Sequence, residues 1–207
     1  MLFALSTVTS RRRADTQPSP GVVIAEELND QALAVLNAGG KVLLLLPPSR
    51  VKGDPSAKVE LGFSSIFWNT AWTGRQAPTT LGILCDPKHP ALASFPTEFH
   101  SNWQWWYFIS QAEAMILDDL PKELRPTVQV IDDWVTSRKL GLVFEARMGA
   151  GSLLVCSIDL RKDLEHNPVA RQMLHSLLHC MDSSRFKPKV TVAPRPSAES
   201  NRPTLSR

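Results

Sequence analysis

Five consecutive apolar residues, Val42-Leu43-Leu44-Leu45-Leu46, limit the folds open to this chain more than any other stretch. A strand with one face in water alternates apolar and polar residues. One that is apolar throughout needs cover on both faces, as a strand does inside a sheet flanked by helices. The preceding residues supply the rest of the unit. Gly21-Val22-Val23-Ile24-Ala25 reads as a strand, and Asn29 or Asp30 as the cap of a short helix bearing Leu33 and Leu36. A capping side-chain oxygen accepts an otherwise unpaired backbone N–H. Gly39-Gly40 ends that helix, because glycine tolerates the left-handed conformation of a helix exit. Strand, helix and buried strand form a βαβ unit.

Pro47-Pro48 stops the buried strand, and further strands are expected over residues 81–85, 114–117 and 127–131. Ser101 or Asn102 starts a helix with Trp103, Trp106, Tyr107 and Ser110 at the spacing of one face. Strands at 140–146 and 152–158 flank Met148-Gly149-Ala150-Gly151, a hairpin turn. Asn167-Pro168 opens a last helix reaching Met181, with proline suited to a first turn. This order predicts a three-layer α/β sandwich whose hairpin forms an antiparallel edge. Residues 1–20 and 192–207, rich in Pro, Ser and Arg, are expected to be disordered. The domain then spans 21–191, with a Trp-rich insertion over 63–106.

Composition removes several classes of function. Lys and Arg number 23 against 20 Asp and Glu, a net charge of +3 that does not argue for nucleic acid. No apolar run approaches the roughly 20 residues of a membrane span. Met1 to Ser6 is a short apolar run followed by Arg11-Arg12-Arg13, the reverse of a secretory signal, so no export signal is read here. Cys85, Cys156 and Cys180 are too few and too scattered for a disulfide framework or a zinc ribbon.

Candidate chemistry is sparse. Cys85 could be a nucleophile, with His89 or His100 near it, but Asp86-Pro87 follows and no glycine-flanked elbow exists; a structural cysteine is the plainer expectation. His175 and His179 share a helix face without the glutamate of a zincin, so surface histidines are expected. Gly149-Ala150-Gly151 lies in a hairpin and is not a phosphate cradle. Glu98, Asp132, Asp133 and Glu145 are a poor basis for a glycosidase pair, since sequence fixes no gap between them. No catalytic residue, metal or cofactor is therefore assigned.

The six tryptophans carry the remaining signal. Trp103 and Trp106, on the apolar side of their helix, are expected in the core, whereas Trp105 points elsewhere and is the expected interface anchor. Trp68, Trp72 and Trp105 are the candidates for contact with a protein or a glycan.

Two stretches are distinctive in combination: Leu81-Gly82-Ile83-Leu84-Cys85-Asp86-Pro87-Lys88-His89-Pro90, and Phe95-Pro96-Thr97-Glu98-Phe99-His100-Ser101-Asn102-Trp103-Gln104-Trp105-Trp106. With Gln129-Val130-Ile131-Asp132-Asp133 and the two later strands, they resemble the C-terminal accessory domain of bacterial family 2 glycoside hydrolases, the β-galactosidase-like enzymes. The resemblance covers about residues 21–190. It implies a flavodoxin-like, degenerate class I glutamine-amidotransferase-like fold without its nucleophile, and a parent enzyme whose chemistry lies in a separate barrel. It further implies a parent that is periplasmic or secreted, and partners that are the parent's catalytic domains or another subunit. The alternatives are a carbohydrate-binding module that stacks tryptophans on glycan and, behind it, a cysteine-dependent hydrolase.

Overall fold

The computed structural model describes residues 14–51, 59, 61–63, 80–197 and 200–204. Strand β1 (Val22–Ala25), helix α1 (Asp30–Asn37) and strand β2 (Lys41–Leu45) form the expected βαβ unit. The two strands pair in parallel, from Val22 opposite Lys41 to Ala25 opposite Leu44. Asn29 caps α1, its side-chain oxygen accepting from the Ala32 N–H at 2.9 Å. The exit runs through Gly39 at φ +85°.

Three short elements follow: β3 (Gly82–Cys85), α2 (Trp103–Ile109) and β4 (Met115–Ile116). Then come β5 (Val128–Ile131), β6 (Leu140–Met148), β7 (Gly151–Cys156) and α3 (Pro168–Asp182). The sheet runs β1-β2-β7-β6-β5-β3, with β4 beside β6. Strand β2 pairs with β7 in parallel, and every pairing from β7 outward to β3 is antiparallel.

The β6–β7 hairpin therefore lies in the middle of the sheet, not at the edge the sequence pattern predicts. Burial explains the difference. Phe144 and Ala146 on β6, and Leu153, Leu154, Val155 and Cys156 on β7, are all fully buried. An edge strand would expose part of that run. The edge falls instead to β3, and residues 99–101 cover its outer side. The Cys85 N–H donates to the Phe99 carbonyl at 2.9 Å, and the Ser101 N–H to that of Ile83 at 3.2 Å. Covering an edge in this way satisfies its backbone groups.

Alternate residues of the central strands serve two cores. Leu43, Leu45, Leu154 and Cys156 pack with Met173, Leu177 and Met181 of α3 and with Trp105 and Phe108 of α2. Val42, Leu44, Leu153 and Val155 pack with Ala32 and Leu36 of α1 and with Leu117, Leu124 and Val192. Helices on both faces make three layers, a mixed α/β sandwich. Asn167 caps α3 by accepting from the Val169 and Ala170 N–H groups, each at 3.0 Å.

The described residues reach past both ends of 21–191. Residues 14–20 lie against α3, where the Ser19 hydroxyl bonds the Asp182 carboxylate and His175 Nδ1 sits 2.8 Å from the Asp15 carbonyl. Polar groups on the outer face of α3 thus give a polar segment something to bind. At the other end Val192 is 3% exposed and its N–H donates to the Arg147 carbonyl at 2.8 Å. A separate antiparallel ribbon, β8 (Arg195–Ser197) with β9 (Ser200–Thr204), follows. Residues 1–13 and 205–207 lie outside the described residues.

The α1 exit rests directly on the start of β7. A Cβ on Gly151 would stand 2.6 Å from the carbonyl oxygens of both Gly40 and Leu36, which are backbone atoms that cannot swing aside. Gly151→Ala is therefore expected to lower stability by about 2 kcal/mol, read from the urea midpoint. An unchanged midpoint would mean that this contact is loose.

Candidate functional site

Helix α2 reads Trp103-Gln104-Trp105-Trp106-Tyr107-Phe108-Ile109, apolar nearly all round, so periodicity does not choose its buried face. The surrounding structure does. Trp105 is fully buried, its indole N–H donates to the Thr97 hydroxyl at 2.8 Å, and its ring meets Phe95 and Phe108 edge-on, each at 5.6 Å. Phe108 and Ile109 follow it inward at i+3 and i+4. Trp103 is then 88% exposed and Trp106 51% exposed. This reverses the expectation for all three residues: Trp105 belongs to the core, and Trp103 and Trp106 face out. Trp68 and Trp72 lie outside the described residues.

The exposed tryptophans have company. Among the described residues the exposed large apolar side chains are Leu84, Phe99, Trp103, Trp106, Trp134 and Val135. They fall on β3, its edge cover, α2 and the loop after β5. Leu84 stands opposite Gln129 and His100, on the sheet face opposite Ile83 and Cys85. The loop after β5 begins beside the start of β3, where the Leu81 N–H donates to the Ile131 carbonyl at 2.9 Å. Ser101, two residues before Trp103, also packs there, within 2.9 Å of a Cβ position on Gly82. Trp106 is held edge-on by Phe63 at 5.8 Å. The apolar exposure of the described surface thus lies along the β3 side of the sheet, with Leu84 on one face and the α2 residues on the other.

Several of the groups weighed as nucleophile, ligand or acid pair are engaged otherwise. Cys85 donates its thiol hydrogen to the Glu98 carbonyl at 3.3 Å, and burial pushes its pKa up. A thiol nucleophile needs the opposite shift. Burial pushes Cys156 and Cys180 up to about 12. His100 projects from the face opposite Cys85. His175 and His179 stack with ring centres 6.0 Å apart, and among the described residues no group of three His, Cys, Asp or Glu is placed to hold a metal. Asp133 accepts from the Val135 and Thr136 N–H groups in a turn, and Asp132 binds Arg138 through Nε at 2.7 Å and Nη2 at 2.9 Å. At the carboxyl ends of β1 and β2, where open α/β sheets take ligands, Glu26 pairs with Arg161 and Glu27 with Arg50.

A second feature had no linear signature, because four separate segments build it. Strand β5 leaves β6 at Val143, and the segment through Val190 joins β6 only at Arg147. Glu145 stands in the gap. A cleft of about 370 Å³ opens there, lined by Asp86, His89, Arg125, Glu145, Lys187 and Lys189 among others. His89 Nδ1 accepts from the Ala91 N–H at 3.2 Å. The ring proton of the neutral imidazole is therefore on Nε2, 4.0 Å from Glu145 Oε2. Burial lowers the His89 pKa and raises that of Glu145.

Two outcomes are expected. Trp105→Ala should destabilise the fold by about 3–5 kcal/mol, while Trp103→Ala should change it by less than about 0.5 kcal/mol; equal effects in denaturation would contradict the assigned faces. Glu145, with its folded pKa raised above the ordinary 4.5, stabilises the fold only while protonated, and that contribution is lost as pH rises through the folded pKa. Glu145→Gln should therefore melt higher than the parent at neutral pH, with the gap closing below pH 4.5. A lower melting temperature at neutral pH would contradict this.

No curated protein sequence matches the chain. A family described as a domain of unknown function, DUF8487, matches residues 23–199. The chain belongs to that family.

Proposed function

We propose that this chain is a non-catalytic accessory domain that docks onto the catalytic portion of a β-galactosidase-like glycoside hydrolase. The observation that carries docking is the exposure of Leu84, Phe99, Trp103, Trp106, Trp134 and Val135 along the β3 side of the sheet. Large apolar side chains gathered on a surface mark interaction sites, and tryptophan is enriched among the anchors that carry binding energy. Phe63 and the buried Trp105 below hold part of this surface in place, so little ordering entropy is lost on binding.

The identity of the partner rests on the sequence resemblance, whose most distinctive stretch, residues 81–106, is the one that builds this surface. We further read the sandwich as a degenerate flavodoxin-like, amidotransferase-like fold. One feature supports a role without chemistry of its own: the Cys85 thiol donates to a carbonyl, and burial pushes its pKa up.

The test is calorimetric titration of this chain with the catalytic portion of a family 2 glycoside hydrolase from the same genome. Association is expected, weakened at least about tenfold by Trp103→Ala or Trp106→Ala, which is about 1.4 kcal/mol. No association, or association indifferent to both substitutions, would overturn the reading. Quenching of tryptophan fluorescence by oligosaccharide, lost in the same variants, would instead establish the carbohydrate-binding alternative.

A further inference from the structure

The cleft at Glu145 belongs to neither the aromatic surface nor the docking role, and its donors and acceptors select a ligand. The floor holds one donor and one acceptor. The His89 Nε2–H faces Glu145 Oε2 across 4.0 Å, too far for a direct hydrogen bond. A group that accepts from one and donates to the other fits between them at ordinary hydrogen-bond lengths of about 2.8 Å each. A hydroxyl does both. An ammonium only donates and leaves the imidazole N–H unpaired, and a carboxylate only accepts and is repelled by Glu145. A cation finds no lone pair on Nε2, because Nδ1 is the nitrogen occupied as acceptor by the Ala91 N–H.

The walls are different in character. Lys187 and Lys189, two apart with the buried Pro188 between them, line it together with Arg125. Among the described residues none of the three has a carboxylate partner; Arg125 donates only to the Lys122 carbonyl, at 3.2 Å. Three cations at one cleft suit an anionic group. Asp86 and Glu123, also in the lining, leave acceptors for further hydroxyls and disfavour a ligand that is anionic throughout. A volume of about 370 Å³ is within the range of small-ligand sites.

We propose that this cleft binds a small polyhydroxylated anion, such as a sugar acid or a sugar phosphate, with a hydroxyl bridging His89 and Glu145 and the anionic group held by Lys187, Lys189 and Arg125. The site does not depend on the docking role.

The test is an NMR titration of the intact chain, following the His89 imidazole signals. Glucuronate and glucose 6-phosphate are the two anionic probes; glucose and acetate each carry one half of the chemistry. Saturable shifts are expected with at least one anionic sugar, and which one saturates identifies the anion. Glucose and acetate should bind at least about tenfold more weakly. Glu145→Leu, which removes the acceptor at similar volume, and the double variant Lys187→Ala/Lys189→Ala should each weaken binding about tenfold. Absence of saturation in the millimolar range, equal binding of acetate or glucose, or binding unaffected by both variants would overturn the proposal.

Discussion

The parallel pairing of β2 with β7 holds the two halves of this molecule together. On one side of it lies the βαβ unit; on the other, every strand runs antiparallel to its neighbour. Both strands at the seam are apolar on both faces and serve both cores at once. Full burial of a Leu or Val side chain contributes about 1.5–3 kcal/mol, whereas a favourable cross-strand pair contributes about 0.2–1 kcal/mol. Burial therefore decides the strand order. It draws the β6–β7 hairpin into the centre and leaves the edge to β3, whose Leu84 is exposed.

That outcome locates what was legible in the sequence. Asn29, Gly39 and the run 42–46 announce the βαβ unit, because caps, left-handed glycines and doubly apolar strands are local signals. Asn167-Pro168 and Gly149-Ala150 are of the same kind. The phase of α2 was not legible, since tryptophans at 103, 105 and 106 satisfy two opposite faces equally well. Only the partners outside the helix, Phe95 and Thr97 around Trp105, settle which is buried. The hairpin's position depended likewise on contacts that sequence separation conceals. His89 and Glu145 meet across 56 residues of chain and through a gap in strand pairing, so no spacing rule could bring them together.

The arrangement separates two kinds of surface. The aromatic end is apolar and built on the covered edge of β3 and on α2, both anchored in the α3-side core through Ile83, Trp105 and Phe108. The cleft is polar and built where β6 lacks a neighbour between Val143 and Arg147. Sheet edges and interruptions are where backbone order gives way to side-chain chemistry, and here one interruption is covered with aromatic residues and the other lined with charge. Both depend on the same rigid centre. A change that loosens the β2–β7 seam would be felt at each.

Hydrogen exchange read by mass spectrometry, on the chain alone and mixed with the catalytic portion of a family 2 glycoside hydrolase, tests the proposed docking through the aromatic surface most directly. Slowed exchange is expected in peptides covering residues 81–85, 99–106 and 132–136, with β2 and β7 already protected in the free chain and unchanged by the partner. Unchanged exchange across those three segments, or new protection confined to the outer face of α1 or α3, would contradict it.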